Sequence, residues 1–336
     1  MKLRYLVSAL RIMKVPGLFQ IIKDWQGFVR MHFLHAAMEG GLLHALPATR
    51  EELAAKLHVA RPDILDGLLD VGVSAGELRL RNGTYSLRGK RAKAVARREG
   101  DSLAAMVQAQ VTYYGSAYRK AAERMRGGPL GTDLHEIGDL VARYSKLGEP
   151  VLAQFLKQLL PSRSGRILDV GCGSGVFLRC VHEADQTATG IGLEVDPAVV
   201  RQARDNLAAW GIDRSFAVVA GDIRTHPESG EGPFDLITLF NVLYYFPLEE
   251  RPALFRRIRS LLAPGGVFGL AASFRSNGKD LNSANLNMVN VSLEGLTPLP
   301  DLEETASLLR ECGFSRVVRH VFFPGGTFCG LKASIS

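Results

Sequence analysis

Three carboxylates and a run of alternating glycines mark the chemistry this chain can do. Asp169 opens the run Asp169-Val-Gly171-Cys-Gly173-Ser-Gly175. Ile167, Leu168 and Val170, around Asp169, read as a short buried parallel strand, and Val176 to Val181 as the apolar start of a helix. A strand, a glycine turn and a helix N-terminus together let backbone N–H groups approach a ligand closely. The spacing is not that of a dinucleotide fingerprint, whose third glycine would fall at 176, where this chain has Val176. Glu194 ends the next apolar run, Thr189-Gly-Ile-Gly-Leu-Glu194. Read locally, Glu194 is a helix N-terminal acid ahead of Asp196-Pro197. Asp222 follows a third run, 216–220, and Asn241 a fourth, 234–240.

The elements that must position these residues alternate. Strands are expected at 166–170, 188–194, 216–220, 234–240 and 267–272, with helices at 197–210, 248–262 and 302–312 between or after them. Ala263-Pro-Gly-Gly266 is expected to turn the second of these helices into the fifth strand. Two last strands, 314–322 and 327–333, are joined through Pro324-Gly-Gly326 and read as a hairpin. Such alternation predicts an α/β fold, a mainly parallel sheet with one antiparallel strand and helices on both faces. Ligands of open α/β sheets bind at the carboxyl ends of the strands, where all four polar candidates fall.

The Asp169–Gly175 run, with Glu194 and Asp222 in step behind it, resembles the class I S-adenosylmethionine-dependent methyltransferases and their Rossmann-like seven-stranded sheet. The match covers residues 140–335 well and the rest more loosely. The resemblance implies S-adenosylmethionine as cofactor, with Asp169, Gly171, Gly173 and Gly175 around its amino-acid end and Glu194 on the ribose. It also implies Asp222 on the adenine amine, Ile223 covering the ring, Asn241 at the tip of the fourth strand and Tyr144 over the cofactor carboxylate.

Methyl transfer from a sulfonium needs alignment above all, which can supply ~7–11 kcal/mol. A positioned base adds roughly 10²–10⁴-fold. Many O-methyltransferases place a histidine just after the fourth strand; here Asn241-Val-Leu-Tyr-Tyr-Phe-Pro247 puts Tyr244 in that position. With an ordinary pKa of ~10, tyrosine is a poor base near neutrality. The base then lies elsewhere, or the acceptor is already ionised, or nitrogen or carbon is methylated. Tyr244 and Tyr245 either orient the acceptor or simply pack. Among eight histidines, His135 is the one in a region able to face the pocket. No metal-ligand spacing is present.

Ahead of this domain, Thr49-Arg-Glu-Glu52 is a capping box, and a further helix follows Pro62. Leu78 to Leu87 alternates around Asn82-Gly83, a hairpin signal. Three helices and a hairpin make a winged-helix pattern. Its third helix carries Asp63, Asp66 and Asp70, which phosphate repels, so nucleic acid is not the expected partner. The arrangement resembles the dimerisation domain of small-molecule O-methyltransferases. We therefore expect a dimerisation domain over 1–100, linking helices over 101–145 and a catalytic domain over 146–336. A homodimer acting on a small-molecule acceptor, aromatic or polyketide-like, follows from that resemblance. Residues 1–30 mix apolar and basic residues and read as two short helices split at Pro16-Gly17, followed by a helix over 31–46. They suit a partner subunit or a membrane surface.

The totals agree with a cytoplasmic globular protein. The 336 residues are 46% hydrophobic, and the four cysteines are scattered as in a reducing compartment. The net charge of +7 is concentrated early: residues 1–130 hold 21 basic and 11 acidic side chains. The long polar stretch 273–300 reads as a loop serving as lid or substrate wall, with Asn282, Asn285 and Asn287 as candidate hydrogen-bonding groups.

Overall fold

The computed structural model describes residues 12–132, 138–160, 165–226 and 232–335. The chain forms two compact units: Met1–Ser116 with Gly138–Leu147, and Ala117–Ile137 with Gly148–Ser336.

The first unit begins with α1, Leu18–Glu39, a single helix that starts after the expected break at Pro16-Gly17 and runs on through the expected boundary between residues 30 and 31. Gly17, with φ 78°, starts it and Gly40 ends it, while Gly27 alone does not break it. The first half of α1 leaves Phe19, Ile21, Trp25 and Phe28 more than half exposed. Its second half buries Phe33, Leu34 and Ala37. Strand β1, Ala48–Thr49, leads into α2, Arg50–Lys56, through the expected capping box: the Thr49 hydroxyl accepts from Glu52 N and Glu52 Oε2 accepts from Thr49 N at 2.8 Å. Helix α3, Pro62–Ser74, precedes the hairpin of β2, Leu78–Arg81, and β3, Thr84–Leu87. Asn82 and Gly83 both take positive φ, as a two-residue hairpin turn demands. The small sheet runs β1-β3-β2. Two acids of α3 are spent locally, Asp66 on Arg50 and Asp63 on Arg61. Helices α4, Asp101–Ala109, and α5, Gly138–Ser145, complete the unit, tied by Arg143 donating to both oxygens of Asp101.

The second unit opens with α6, Glu149–Leu159, and then builds the sheet: β4, Arg166–Val170; α7, Val176–Ala184; β5, Thr189–Glu194; α8, Pro197–Ala209; β6, Phe216–Ala220; β7, Phe234–Phe240; α9, Arg251–Leu261; β8, Leu262–Ser273; α10, Leu281–Asn290; α11, Leu302–Glu311; β9, Arg316–Val321; β10, Phe328–Ser334. Seven strands lie in the order β6-β5-β4-β7-β8-β10-β9, with β10 antiparallel to both its neighbours and the other pairings parallel. This is the expected α/β sheet. Alternate residues of β4 feed opposite cores: Leu168 and Val170 join Leu193, Ile237 and Phe268, while Ile167 joins Phe155, Leu178 and Phe216. A strand apolar on both faces can only be central.

Two expectations are corrected. Ala263–Gly266 does not precede the fifth strand; it is a bulge inside β8, where pairing shifts between Phe234 and Leu236. The 273–300 stretch is not a loop throughout: Asp280 caps α10 by accepting from Asn282 N at 2.9 Å. Its asparagines hid the helix, since they carry weak helix propensity.

Candidate active site

The candidate residues gather where β4, β5, β6 and β7 end. Gly171 N and Cys172 N both donate to Leu193 O, at 2.7 and 3.0 Å, so the glycine loop is folded onto the tip of β5. Gly171 and Gly175 take φ of 69° and 80°, and a Cβ on either would lie within 2.6–2.7 Å of Val242 or Leu207. Gly173 has φ 52° and nothing within 4 Å of its would-be Cβ. The loop is thus clamped at both ends and open in the middle. Asn206 holds its far side by donating Nδ2 to Ser174 O at 3.0 Å.

Asp169 lies on β4 opposite Thr238 of β7, 2% exposed. The Thr238 hydroxyl donates to Oδ1 at 2.6 Å, and buried Oδ2 has no partner. Burial pushes this carboxyl up to about 7; the Thr238 hydrogen bond opposes the shift and the Glu194 charge adds to it. A buried carboxylate with one idle oxygen calls for a cationic or N–H donor.

Glu194, at the tip of β5, bonds backbone with both carboxylate oxygens. Its Oε2 accepts from Gly173 N at 3.2 Å, and Oε1 accepts from Val195 N and Asp196 N at 2.8 and 3.1 Å. Three of a carboxylate's roughly four acceptor sites are used, leaving capacity for a hydroxyl. Glu194 thus bonds both the glycine loop and the turn that leads into α8, whose N-cap is Asp196.

Asp222 stands after β6, and Gly221 N ties that turn to Glu194 O at 3.0 Å. The Asp222 carboxylate is gripped by Arg224, whose Nε reaches both oxygens at 3.0 Å, while Arg224 N donates to Oδ1 at 2.9 Å. Burial would raise this carboxyl, but the Arg224 hydrogen bonds and charge outweigh it and hold it below its ordinary value. Arg224 also donates to Glu250 at 2.9 Å. The sequence reading overlooked Arg224; its position two residues after a turn aspartate was the available signal. Ile223 is 2% exposed, packed with Leu193 and Leu168 in the core.

Asn241 takes the left-handed conformation, φ 59°, and donates its N–H to Ala271 O at 2.7 Å. This bend turns Val242 onto Gly171 and starts the short helical turn Leu243–Tyr245. Tyr244 and Tyr245 have ring centroids 5.0 Å apart; Tyr245 is 42% exposed. Desolvation by its neighbours and the Glu194 charge raise the Tyr245 phenol, which places it within electrostatic reach of Glu194 and makes it a still poorer base. The structure therefore gathers Asp169, the three glycines, Glu194, Asn241 and the two tyrosines into one connected set, with Asp222 attached through Arg224 and the Gly221 turn. Tyr144 lies on α5 in the first unit, its phenol raised by burial. His135 lies outside the described residues. Among the described residues no His, Cys, Asp and Glu cluster could hold a metal, and no helix is long and apolar enough to cross a membrane.

On the wall beside this turn, Asn287 Oδ1 accepts from Leu299 N at 2.8 Å and Asn285 Oδ1 accepts from the Tyr118 hydroxyl at 2.8 Å. Asn282 lies exposed on the first turn of α10.

A family described as "Methyltransferase domain" matches residues 167–266. A carboxy-S-adenosyl-L-methionine synthase of Chromohalobacter salexigens is 28% identical over 172 residues, covering 45% of this chain and 62% of that protein. A ubiquinone biosynthesis O-methyltransferase of Xanthomonas axonopodis pv. citri is 28% identical over 127 residues, 38% of this chain and 51% of the relative. The chain thus spans less than two thirds of these curated relatives. The solved structure of mitomycin 7-O-methyltransferase is similar along nearly the whole length, with TM-score 0.80 and 18% identity over 98% of this chain and 100% of that one. At that identity the likeness is one of fold.

Proposed function

We propose that this chain, whose residues 167–266 belong to the methyltransferase-domain family, transfers a methyl group from S-adenosylmethionine to a small-molecule acceptor. The observation that supports it most is the pairing of an idle, buried Asp169 oxygen with an open backbone cradle at Gly173. An α-ammonium group satisfies the first, and close backbone approach suits the amino-acid end of the cofactor. Glu194 then takes ribose hydroxyls with its spare acceptor capacity, and Asp222, with Ile223 packed in the core behind it, lies toward the adenine end. Tyr144 over the cofactor carboxylate and His135 as base belong to the same reading, as do the boundaries 1–100, 101–145 and 146–336.

The acceptor we favour carries its oxygen on an aromatic or polyketide-like skeleton. The Tyr244 and Tyr245 rings, 5.0 Å apart and tilted by 44°, supply an aromatic surface for such a molecule. Burial raises the Tyr245 phenol and so suits it poorly to deprotonating an acceptor, and alignment then carries most of the rate. The test is twofold: calorimetric binding of S-adenosylmethionine, then transfer of its labelled methyl to catechol and 4-hydroxybenzoate. Absence of cofactor binding would overturn the reading.

We also propose that the enzyme works in the cytoplasm as a homodimer paired through α1. Phe19, Ile21, Trp25 and Phe28, 56%, 67%, 60% and 59% exposed, are more apolar surface than a lone helix normally leaves uncovered. Sedimentation of wild type against Trp25→Glu tests this; a monomeric wild type that floats with anionic vesicles would instead favour a membrane surface.

A further inference from the structure

We propose that Arg251 is a positioning residue for the acceptor side of the site, locking the Tyr244–Tyr245 turn to the 297–299 segment through Thr297. This inference rests on the methyltransferase reading above.

The observation is a cation in the wrong place. Arg251 is 4% exposed and is the first residue of α9, where the helix dipole opposes positive charge. Among the described residues no carboxylate pairs with it; its partners are Phe246 O at 3.3 Å and Thr297 Oγ1 at 2.9 Å. Burial, and then the nearby charge of Arg275, depress its pKa to about 10. A buried, unpaired guanidinium costs stability, so what it holds matters.

What it holds is one knot. Thr297 Oγ1 accepts from Arg251 and donates to Tyr244 O at 2.9 Å, and Thr297 N donates to the same carbonyl at 2.8 Å. Thr297 O accepts from Asn290 Nδ2 at 3.3 Å, and Asn287 binds Leu299 N, which joins α10 to the knot. On its other side the same turn leans on the glycine loop through Val242 and Gly171. The wall and the cofactor cradle therefore share one short turn, and Arg251 fixes the hydroxyl orientation at its junction. A misplacement of about 1 Å at such a junction is enough to cost roughly 10²-fold in rate.

The signature that separates positioning from plain stability is opposite signs. Arg251→Met removes a buried charge while keeping length, so the melting temperature is expected to hold or rise. Methyl transfer to catechol or 4-hydroxybenzoate is expected to fall about 10–100-fold in kcat, with unchanged cofactor affinity by calorimetry. Exchange of the Thr297 amide is expected to quicken about tenfold. Arg251→Lys, reaching one acceptor, should recover part of the rate; Thr297→Val should mimic the loss and Thr297→Ser restore it. A melting temperature that falls in step with kcat, or kcat and exchange both unchanged, overturns the inference. If wild type transfers no methyl to these acceptors, the functional reading fails in its acceptor class, while amide exchange still decides the knot: quickening upholds it, no change overturns it.

Discussion

The two sides of the candidate site are built differently. The side proposed for the cofactor is assembled from backbone, with glycine N–H groups, strand-tip carbonyls and the acids Asp169, Glu194 and Asp222, and its partners come from neighbouring strands of one sheet. The side proposed for the acceptor is assembled from residues far apart in sequence, Tyr244, Arg251, Asn287, Asn290 and Thr297, joined across a segment that includes its own helix. Sheet geometry fixes the first side in any chain that forms these strands. The second side exists only through particular polar contacts, so it can be rebuilt for a different acceptor while the first is kept. Substitutions should therefore separate the two sides by which ligand they affect.

The largest expected effect is at the clamped ends of the glycine loop. Gly171→Ala places a methyl 2.6 Å from Val242 at φ 69°. Left-handed strain of ~1–2 kcal/mol adds to overpacking of ~1–3 kcal/mol, so chemical denaturation should show a loss of about 2–5 kcal/mol. Gly173→Ala meets no atom, so it should lose only the strain while putting its methyl where the cofactor must approach. A Gly173 variant that folds but binds the cofactor as well as wild type would break the assignment of the cradle.

Next is Glu194→Ala. Loss of a charge-assisted hydrogen bond, worth ~1.5–3 kcal/mol, should weaken the cofactor about 10–100-fold by calorimetry while leaving acceptor KM unchanged. Unaltered cofactor affinity would return Glu194 to its backbone contacts alone.

Asp169→Asn should split stability from binding. Wild-type Asp169 holds its proton up to about pH 7 when folded but releases it near pH 4 when unfolded. The folded state therefore binds the extra proton, and wild-type stability contributed by this group falls as pH rises from about 4 to about 7. The Asn variant lacks that loss and should melt higher than wild type at about pH 8, yet bind the cofactor more weakly. Cofactor should narrow the gap by stabilising the wild type more. Scanning melting temperature against pH with and without S-adenosylmethionine measures both; equal slopes would mean Asp169 is not the buried titrating group.

The sheet was legible because each strand is a contiguous apolar run and each turn a Gly, Pro or Asn signal. The cofactor side was legible for the same reason: Asp169, Glu194 and Asp222 follow their strands at short range. Long-range side-chain commitments were not. Nothing local to Arg251 says that its guanidinium will turn inward to Thr297, 46 residues on. The α10 helix was hidden by asparagines whose side chains find their partners at Leu299, Thr297 and Tyr118, outside any periodic pattern.

The smallest expected effect sharpens the contrast at a single atom. Tyr244 is tied to the 297–299 segment by its carbonyl, which Thr297 engages twice, and its ring lies against that of Tyr245 at a tilt of 44°. Tyr244→Phe keeps both the carbonyl and the ring. If the acceptor side works by holding a surface in place, the variant should keep kcat within about tenfold, since a single neutral hydrogen bond is worth ~0.5–1.5 kcal/mol. A fall beyond roughly 10²-fold in both kcat and kcat/KM would instead mark an interaction made only in the transition state, and would put the hydroxyl itself on the acceptor's proton.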